Sequence, residues 1–187
     1  MVQSIIDAFA TAAARLEESA YPNAVILPNF PRSIQMDYHS CGVHCVMSIL
    51  RFYRKGVSFK RLKNMLRTDE DGTAVSDIKK TLKKFGLECR TLRKPSLKEL
   101  KAAIDEGFPV LISTWSDIHY EVVYGYSNSH IFVMNPSVDV NGVGRLSCAV
   151  PKAEFIQAWD RWGLKVSNLS SSSIFFKPSL KKFRVRR

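Results

Sequence analysis

Apolar residues recur at helical spacing in the first half of the chain and in short alternating runs in the second half. The first apolar stripe predicts a helix over residues 3–19, and the second predicts a helix from Cys41 to about residue 54. Three prolines lie between these helices, and proline is excluded from a helix interior. Residues 20–34 are therefore expected to form an irregular linker.

The remaining pattern predicts further helices followed by strands. Ser58 and Ser76 are suitable N-caps for the helices SFKRLKNMLR and DIKKTLKKF, the second of which ends at Gly86. Ser96 begins a capping box, and KAEFIQAWDRWG predicts a last helix that stops at Gly163. The predicted strands are LECRTL, PVLISTW, HYEVVYGY, HIFVMN, RLSCAV and an edge strand in SSSIFF. Helices followed by mostly antiparallel strands, with helices inserted, are typical of the α+β class.

Two consecutive strands predict a β-hairpin that brings an imidazole beside an amide. A three-residue loop over residues 126–128 pairs Val123 with Ile131 and His119 with Asn135. Directly opposed residues point to the same face, with Cβ atoms roughly 4.5–5.5 Å apart. The opposite face is expected to pack on the core and carries Tyr120, Val122, Tyr124, Phe132 and Met134.

Cys41 is a candidate nucleophile because it opens a predicted helix. With Ser40 as the N-cap, the first-turn N–H groups and the helix dipole are expected to lower the thiol pKa. Gly42 is expected to let a substrate backbone approach closely. Cys45 falls in the apolar stripe one turn later and is expected to lie in the core. A thiol beside an imidazole that an amide orients is the arrangement of a cysteine nucleophile with its base.

A metal site is the alternative interpretation of this region. His39, Cys41, His44 and Cys45 offer four possible ligands within seven positions. Zinc sites usually combine one such pair with a second pair further along the chain, and no second cluster completes the set. The nucleophile hypothesis is therefore favoured, and neither a metal nor a cofactor is predicted.

Composition and charge narrow the class of protein. The 187 residues are 45% hydrophobic and 24% charged, which is typical of a globular domain. No apolar run is long enough for a membrane-spanning helix. The first residues lack the basic start of a secretory signal, so a cytoplasmic location is expected.

Basic residues are concentrated in two regions. Residues 51–101 hold 16 basic and 6 acidic residues, and residues 177–187 hold 6 basic and no acidic residues. These regions suggest an anionic partner, such as nucleic acid, a membrane surface or an acidic peptide. The alternative is that they form solvated helix faces and a frayed tail, and we expect residues 177–187 to lie outside the core.

Several motifs together resemble a known family. They are Gln35-x5-Cys41-Gly-x2-Cys45, His119, Val133-Met-Asn135-Pro136 and EFIQAWDRWG, in that order. They are similar to motifs of the bacteriocin-processing peptidases, papain-like cysteine peptidases that cleave leader peptides after a double glycine. The resemblance covers roughly residues 33–165 and implies a papain-like fold with a helical lobe and an antiparallel-sheet lobe. We accordingly expect a peptidase domain over residues 33–176, between an N-terminal region 1–32 and the tail.

The resemblance also implies residue roles. Cys41 would be the nucleophile, His119 the general base and then acid, and Gln35 a donor to the oxyanion. The third triad residue is usually Asp and here falls on Asn135, which can orient the imidazole but supplies no charge. The residue before the nucleophile is usually Asp and here is Ser40.

Substrate and activity remain to be distinguished among three hypotheses. The best-known relatives are fused to membrane helices and an ATPase, which these 187 residues do not contain, so cleavage of a double-glycine leader is not implied. Peptide-bond hydrolysis is the leading hypothesis because Cys41, His119 and Gln35 are all retained. A papain-like module that binds peptides without cutting them, and a basic protein that contacts nucleic acid or an anionic membrane, are the alternatives.

Overall fold

The helices form largely where helical apolar spacing predicts them. The computed structural model of the protein describes residues 2–115, 119–137 and 147–168. Within these ranges the helices are α1 (Val2–Ser19), α2 (Cys41–Phe52), α3 (Phe59–Leu66), α4 (Val75–Lys84), α5 (Leu97–Asp105) and α6 (Lys152–Ala158). The predicted caps at Ser58 and Ser96 are confirmed, the second as a complete capping box. The predicted cap at Ser76 is wrong, because α4 begins at Val75 with Ala74 at the N-cap position.

The strands assemble into one sheet that confirms the α+β class. They are β1 (Val25–Ile26), β2 (Leu87–Arg93), β3 (Val110–Thr114), β4 (His119–Tyr126), β5 (His130–Met134), β6 (Ala149–Pro151) and β7 (Trp159–Asn168). The strand order is β2-β7-β3-β4-β5-β6, with β1 added to β4, and all pairings between these strands are antiparallel.

The last predicted helix is only half correct. Helix α6 ends at Ala158, and the chain continues as β7 between β2 and β3, pairing with both of them. The sheet contacts on both edges override the helical spacing of the apolar residues. Gly163 therefore does not stop a helix: it lies within β7, where a Cβ would approach Val110 Cγ1 to 2.9 Å.

Helix α2 is the central element of the core. Every residue from Cys41 to Leu50 is buried, as expected for a helix that is covered on all sides. It packs against β4 on one side and against α3 and α4 on the other. The start of α2 is thus fixed against the sheet at Tyr120, the second residue of β4.

Some predicted features fall outside the described residues. They are the edge strand in SSSIFF, the basic tail 177–187 and residues 145–146 of the strand RLSCAV. The domain boundaries at residues 32 and 176 remain predictions. Among the residues that the structure describes, no helix combines the length and the apolar character that crossing a membrane requires.

The close approach at Gly163 generates a stability prediction. Gly163→Ala is expected to lower the free energy of unfolding by about 1–3 kcal/mol, because the added methyl group overlaps Val110. Gly56→Ala is the control, since a Cβ at Gly56 meets no atom within 4 Å. Urea unfolding of both variants measures the difference, and equal effects would show that β7 does not pack on β3 as described.

Candidate active site

The first turn of α2 contacts the backbone of β4. The Tyr120 N–H donates to the Cys41 sulfur. One turn further along α2, the Cys45 thiol donates to the Tyr120 carbonyl oxygen at 3.2 Å. Two backbone groups of one β4 residue therefore hold the helix start, and His119 is the residue immediately before it. The predicted core position of Cys45 is confirmed, since its side chain is fully buried.

Burial raises the pKa of the Cys41 thiol, contrary to the lowered pKa that the helix start predicts. The residue is only 6% exposed, so a thiolate would lose most of its hydration. Hydrogen bonds from the backbone N–H groups of Tyr120, Gly42 and Cys41 lower the pKa in part, and the Asp37 carboxylate raises it further. Ser40 occupies the N-cap position, but its side chain makes no capping hydrogen bond. The resting group is therefore a thiol, which needs a base to remove its proton.

The predicted contact between His119 and Asn135 is present, although the predicted register is wrong. His119 Nε2 and Asn135 Oδ1 are 2.9 Å apart. Val123 pairs with Val133 rather than with Ile131, because the turn is tighter and a bulge follows it. The net shift is two residues at this end of the hairpin, and a shift of two keeps each side chain on its face. Asn135 is thus diagonal to His119 and still within reach.

The neighbours of Asn135 fix the tautomer of His119. Asn135 Oδ1 also accepts the backbone N–H of Ser137 at 2.8 Å, and Asn135 Nδ2 donates to Glu121 Oε1 at 2.9 Å. Because Oδ1 is the acceptor, His119 Nε2 must carry the hydrogen and Nδ1 the lone pair. Burial lowers the pKa of His119, and the hydrogen bond to Asn135 raises it in part. A neutral imidazole with a basic Nδ1 is the form required of a general base.

Glu121 is a site residue that sequence reasoning missed. It is 8% exposed, and burial raises its pKa to about 7, while the Arg32 guanidinium acts in the opposite direction. The signal was available, because a carboxylate two residues after His119 in an otherwise apolar strand must share the face of His119. Buried carboxylates of this kind are concentrated at functional sites.

Gln35 lies beside the segment that carries Asn135. Its backbone N–H donates to the Pro136 carbonyl oxygen at 2.8 Å, and it forms an isolated bridge with Ser137. The Gln35 side chain is buried, with Nε2 donating to the Asp37 carbonyl oxygen at 2.8 Å. One of the two Nε2 hydrogens is engaged there, which leaves the other to donate. The structure thus brings Gln35 against the two residues that follow Asn135, from a distant part of the chain.

Helix α1 holds the segment that precedes Gln35. Asp7 Oδ1 accepts the Ile34 N–H at 2.9 Å, Thr11 Oγ1 accepts the Arg32 N–H at 3.0 Å, and Gln3 Nε2 donates to the Ile34 carbonyl oxygen at 2.6 Å. The three side chains lie at i, i+4 and i+8 and therefore share one helix face. The polar face of α1 thus orders the backbone that carries Arg32 and leads into Gln35.

Helix α1 leaves much of its apolar stripe exposed to solvent, whereas α2 buries its stripe. The helix itself is confirmed, but Ile5, Phe9 and Leu16 are exposed. At its other end, Glu17 accepts the backbone N–H groups of Cys148 and Ala149 at 2.6 and 3.2 Å. Polar contacts therefore contribute much of the attachment of α1.

The space at Gly42 is already occupied by the protein. A Cβ at this position would lie 2.8 Å from Thr73 Cβ and 3.3 Å from Tyr120 Cδ2. The expectation that Gly42 admits a substrate backbone is therefore wrong. Glycine is needed here so that Thr73 can pack against the first turn of α2.

The four candidate metal ligands do not converge. His44 Nδ1 lies 2.8 Å from Ser33 Oγ, whereas His39 Nε2 lies 3.2 Å from Lys63 Nζ. Over residues 2–115, 119–137 and 147–168, no group of three or more His, Cys, Asp or Glu side chains is arranged to hold a metal ion. His39, His44 and Cys45 are thus each engaged with a different group of the protein.

Fold and site together define the class of the papain-like cysteine peptidases. The helical part contributes a thiol at a helix start, and the antiparallel sheet contributes an imidazole held by an amide. Residues 29–170 match the Peptidase C39 family, and the chain belongs to that family.

Two solved peptidase structures have folds similar to that of this chain. A double glycine motif protease from an AMS/PCAT transporter, in complex with the leader peptide, aligns with a TM-score of 0.62 and 22% identity over 73% of this chain and 89% of that chain. A putative C39-like peptidase from Bacillus anthracis aligns with a TM-score of 0.61 and 18% identity over 78% of this chain and 98% of that chain.

Curated relatives are much longer than this chain. The lactococcin-G-processing and transport ATP-binding protein of Lactococcus lactis subsp. lactis is 32% identical over 106 residues, which are 55% of this chain and 15% of that protein. The mesentericin-Y105 transport/processing ATP-binding protein of Leuconostoc mesenteroides is 29% identical over 129 residues, which are 67% of this chain and 17% of that protein. The chain therefore spans less than a fifth of the length of either relative.

The raised pKa of Cys41 generates a prediction for thiol reactivity. The rate of Cys41 alkylation by iodoacetamide should rise with pH through a midpoint above the ordinary thiol pKa of about 8.5, because burial disfavours the thiolate. Mass spectrometry of the peptide containing Cys41 measures the rate between about pH 5 and pH 10. Burial also raises the pKa of Cys45 strongly, so this second thiol should stay unmodified in the folded protein. A fast, pH-independent rate in the acidic range would instead reveal a resting thiolate–imidazolium pair.

Proposed function

We propose that the protein hydrolyses peptide bonds with Cys41 as nucleophile, His119 as general base and acid, Asn135 as orienting residue and Gln35 as oxyanion donor. The observation that carries the proposal is the 2.9 Å contact between His119 Nε2 and Asn135 Oδ1. His119 is the first residue of β4, and the next residue, Tyr120, donates its backbone N–H to the Cys41 sulfur. The contact directs the hydrogen of the imidazole toward Asn135 and leaves Nδ1 to act on the thiol.

The reaction follows from these roles. His119 Nδ1 takes the proton of the Cys41 thiol as the sulfur attacks the carbonyl carbon, and the carbonyl oxygen becomes an oxyanion. The Gln35 side-chain N–H and the Cys41 backbone N–H donate to this oxyanion, each worth roughly 3–4 kcal/mol where such donors have been removed. His119 then protonates the leaving amine and later removes a proton from the water that hydrolyses the thioester.

Exposed apolar side chains near these groups in the chain or in the sheet support a peptide substrate. Met36 and Tyr38 are 71% and 82% exposed and lie between Gln35 and Cys41 in the chain. Trp115 is 61% exposed and directly follows β3, the strand that pairs with the start of β4. Exposed apolar groups next to a candidate site are typical of a surface that binds another chain.

We propose the leader segment of a precursor peptide as the substrate class. The support is the similar fold of the double glycine motif protease, which was solved in complex with a leader peptide. Peptides that differ only in having two glycines, or two valines, before the scissile bond provide the test. Cleavage confined to the double-glycine peptide is expected, and equal cleavage of both would contradict this substrate class.

A matched set of variants tests the catalytic roles. Cys41→Ala should abolish hydrolysis with the fold retained, because only the nucleophile is lost. Gln35→Ala should lower kcat about a hundredfold or more and leave alkylation of Cys41 largely intact, because it removes one oxyanion donor. Initial rates on a leader peptide, with circular dichroism of each variant, provide the measurements.

Cys45→Ser is the control for the nucleophile. It should retain activity and lower the free energy of unfolding by at most about 1–3 kcal/mol, because it buries a more polar hydroxyl whose one acceptor is the Tyr120 carbonyl oxygen that the thiol now contacts. Activity in Cys41→Ala combined with inactivity in Cys45→Ser would reverse the assignment. Peptide binding without cleavage by the unmodified protein would favour the non-cleaving module instead.

A second proposal concerns the basic surface of α3 and α4. We propose that it binds an acidic segment of the peptide substrate, remote from the scissile bond. A surface groove of about 540 Å³ supports this proposal. Its lining residues are Met65, Arg67, Asp77, Lys80, Lys83 and Lys84.

The basic groove predicts a salt-dependent KM. For a substrate with an acidic segment, Lys83→Glu should raise KM roughly two- to fivefold at low salt with little change in kcat, since exposed charge contacts are weak and screened. Lys98→Glu, at an exposed position on α5, is the control. If both variants respond alike, general charge and not the groove attracts the substrate.

A further inference from the structure

A carboxylate lies behind the orienting amide of the site. Glu121 Oε1 accepts Asn135 Nδ2–H at 2.9 Å, and Asn135 Oδ1 accepts His119 Nε2–H at 2.9 Å. Three side chains thus form a continuous chain of hydrogen bonds that ends at the general base. We infer that Glu121 is a positioning residue that stabilises the protonated form of His119 through the Asn135 amide. The inference rests on the proposed function and adds a residue to its machinery.

The need for such a group follows from the chemistry of Asn135. During the reaction His119 becomes an imidazolium in a buried site, where a nearby negative charge has a larger effect than in water. An amide orients the ring but is neutral. A carboxylate that accepts a hydrogen bond from Nδ2 polarises the amide and increases the negative charge on Oδ1. An Asp at position 135 would place a negative charge directly beside the ring. Here Glu121 supplies that charge from one side chain further away.

Each element packed around Glu121 contributes a defined neighbour. Arg32, from the segment before α2, lowers the pKa of Glu121, and its side chain donates to the Asn135 carbonyl oxygen at 3.4 Å. From α2, the nearby group is the Cys45 thiol, whose pKa is raised mainly by burial and in addition by the charges of Cys41 and Glu121. On β3 the paired residue is the apolar Ile112. Arg32 is thus the cation that favours an ionised Glu121 in this buried position.

The surroundings of Glu121 also set a pH dependence. Burial raises its pKa to about 7. Above that pH the carboxylate is charged and stabilises the imidazolium, and as pH falls through about 7 the charge is lost. The acid limb of kcat/KM should therefore contain a contribution near pH 7 that belongs to Glu121 and not to His119, whose pKa burial lowers.

Glu121→Gln separates charge from structure, because the amide retains an acceptor for Asn135 Nδ2. We expect kcat/KM at pH 8 to fall about tenfold, which corresponds to one pKa unit of imidazolium stabilisation. KM should change less than twofold, and the component near pH 7 should disappear from the profile. Glu88→Gln, an exposed position on β2, is the control and should match the unmodified protein. An unchanged pH profile in Glu121→Gln would overturn the inference.

Asn135→Asp provides a second test, and its expected effect on kcat/KM differs between the Glu121→Gln variant and the protein that retains Glu121. In Glu121→Gln it supplies the missing charge directly, so it should restore kcat/KM to within about twofold of the original value. With Glu121 present it creates two adjacent carboxylates that share a proton, so it should give no gain. Equal fold-changes in the two backgrounds would show that Glu121 has no electrostatic role.

NMR of isotope-labelled histidine measures the pKa of His119 directly. This measurement does not depend on cleavage, so it tests the role of Glu121 apart from the proposed peptidase activity. The pKa should fall in Glu121→Gln, stay unchanged in Glu88→Gln, and rise by less than about half a unit in Asn135→Asp, since a charge is already coupled to the ring. Loss of cleavage in every variant with these pKa changes intact would overturn only the peptidase assignment. If Glu121→Gln does not fold, a rise of a full unit or more in Asn135→Asp overturns the inference.

Discussion

The helical part of the protein and its sheet meet where the first turn of α2 packs on the backbone of Tyr120. The N–H of this residue contacts the Cys41 sulfur, and its carbonyl oxygen accepts the Cys45 thiol. Because α2 is buried from Cys41 to Leu50 and β4 lies within the sheet, neither element can move without disturbing the core. Core packing therefore places Cys41, the proposed nucleophile, against the backbone of Tyr120, the residue that follows His119.

Burial determines the protonation states of the site. It raises the pKa of Cys41 and Glu121 and lowers that of His119, so the resting thiol and imidazole are both neutral. A neutral pair stores no charge separation, and in the proposed mechanism proton transfer accompanies attack on the substrate. The amide of Asn135 fixes the ring through a neutral group, and the Glu121 carboxylate lies one hydrogen bond further away. Helix α1 completes the site from outside by ordering the backbone on which Arg32 lies.

Local pattern was sufficient for most elements and for the candidate triad. Helical spacing, caps and period-two alternation predicted α2, the hairpin and the shared face of His119 and Asn135. Where tertiary contacts decide, the pattern failed: β7 forms because strands on both sides pair with it, and Gly163 is required by its neighbour Val110. The sign of the Cys41 pKa shift also depends on burial by distant residues, which spacing along the chain does not report. The contact between Glu121 and Asn135 required the actual hairpin register.

The central claim is that the Cys41 sulfur becomes acylated by a peptide after His119 removes its proton. Rapid acid quenching of the protein during turnover of a leader peptide, followed by mass spectrometry of its proteolytic fragments, measures this acylation directly. The account predicts a thioester mass increment on the fragment containing Cys41, and none at that position when His119 is replaced by Ala. Turnover with the increment on another residue, or with no covalent intermediate at a time resolution that detects the thioester, would contradict the account.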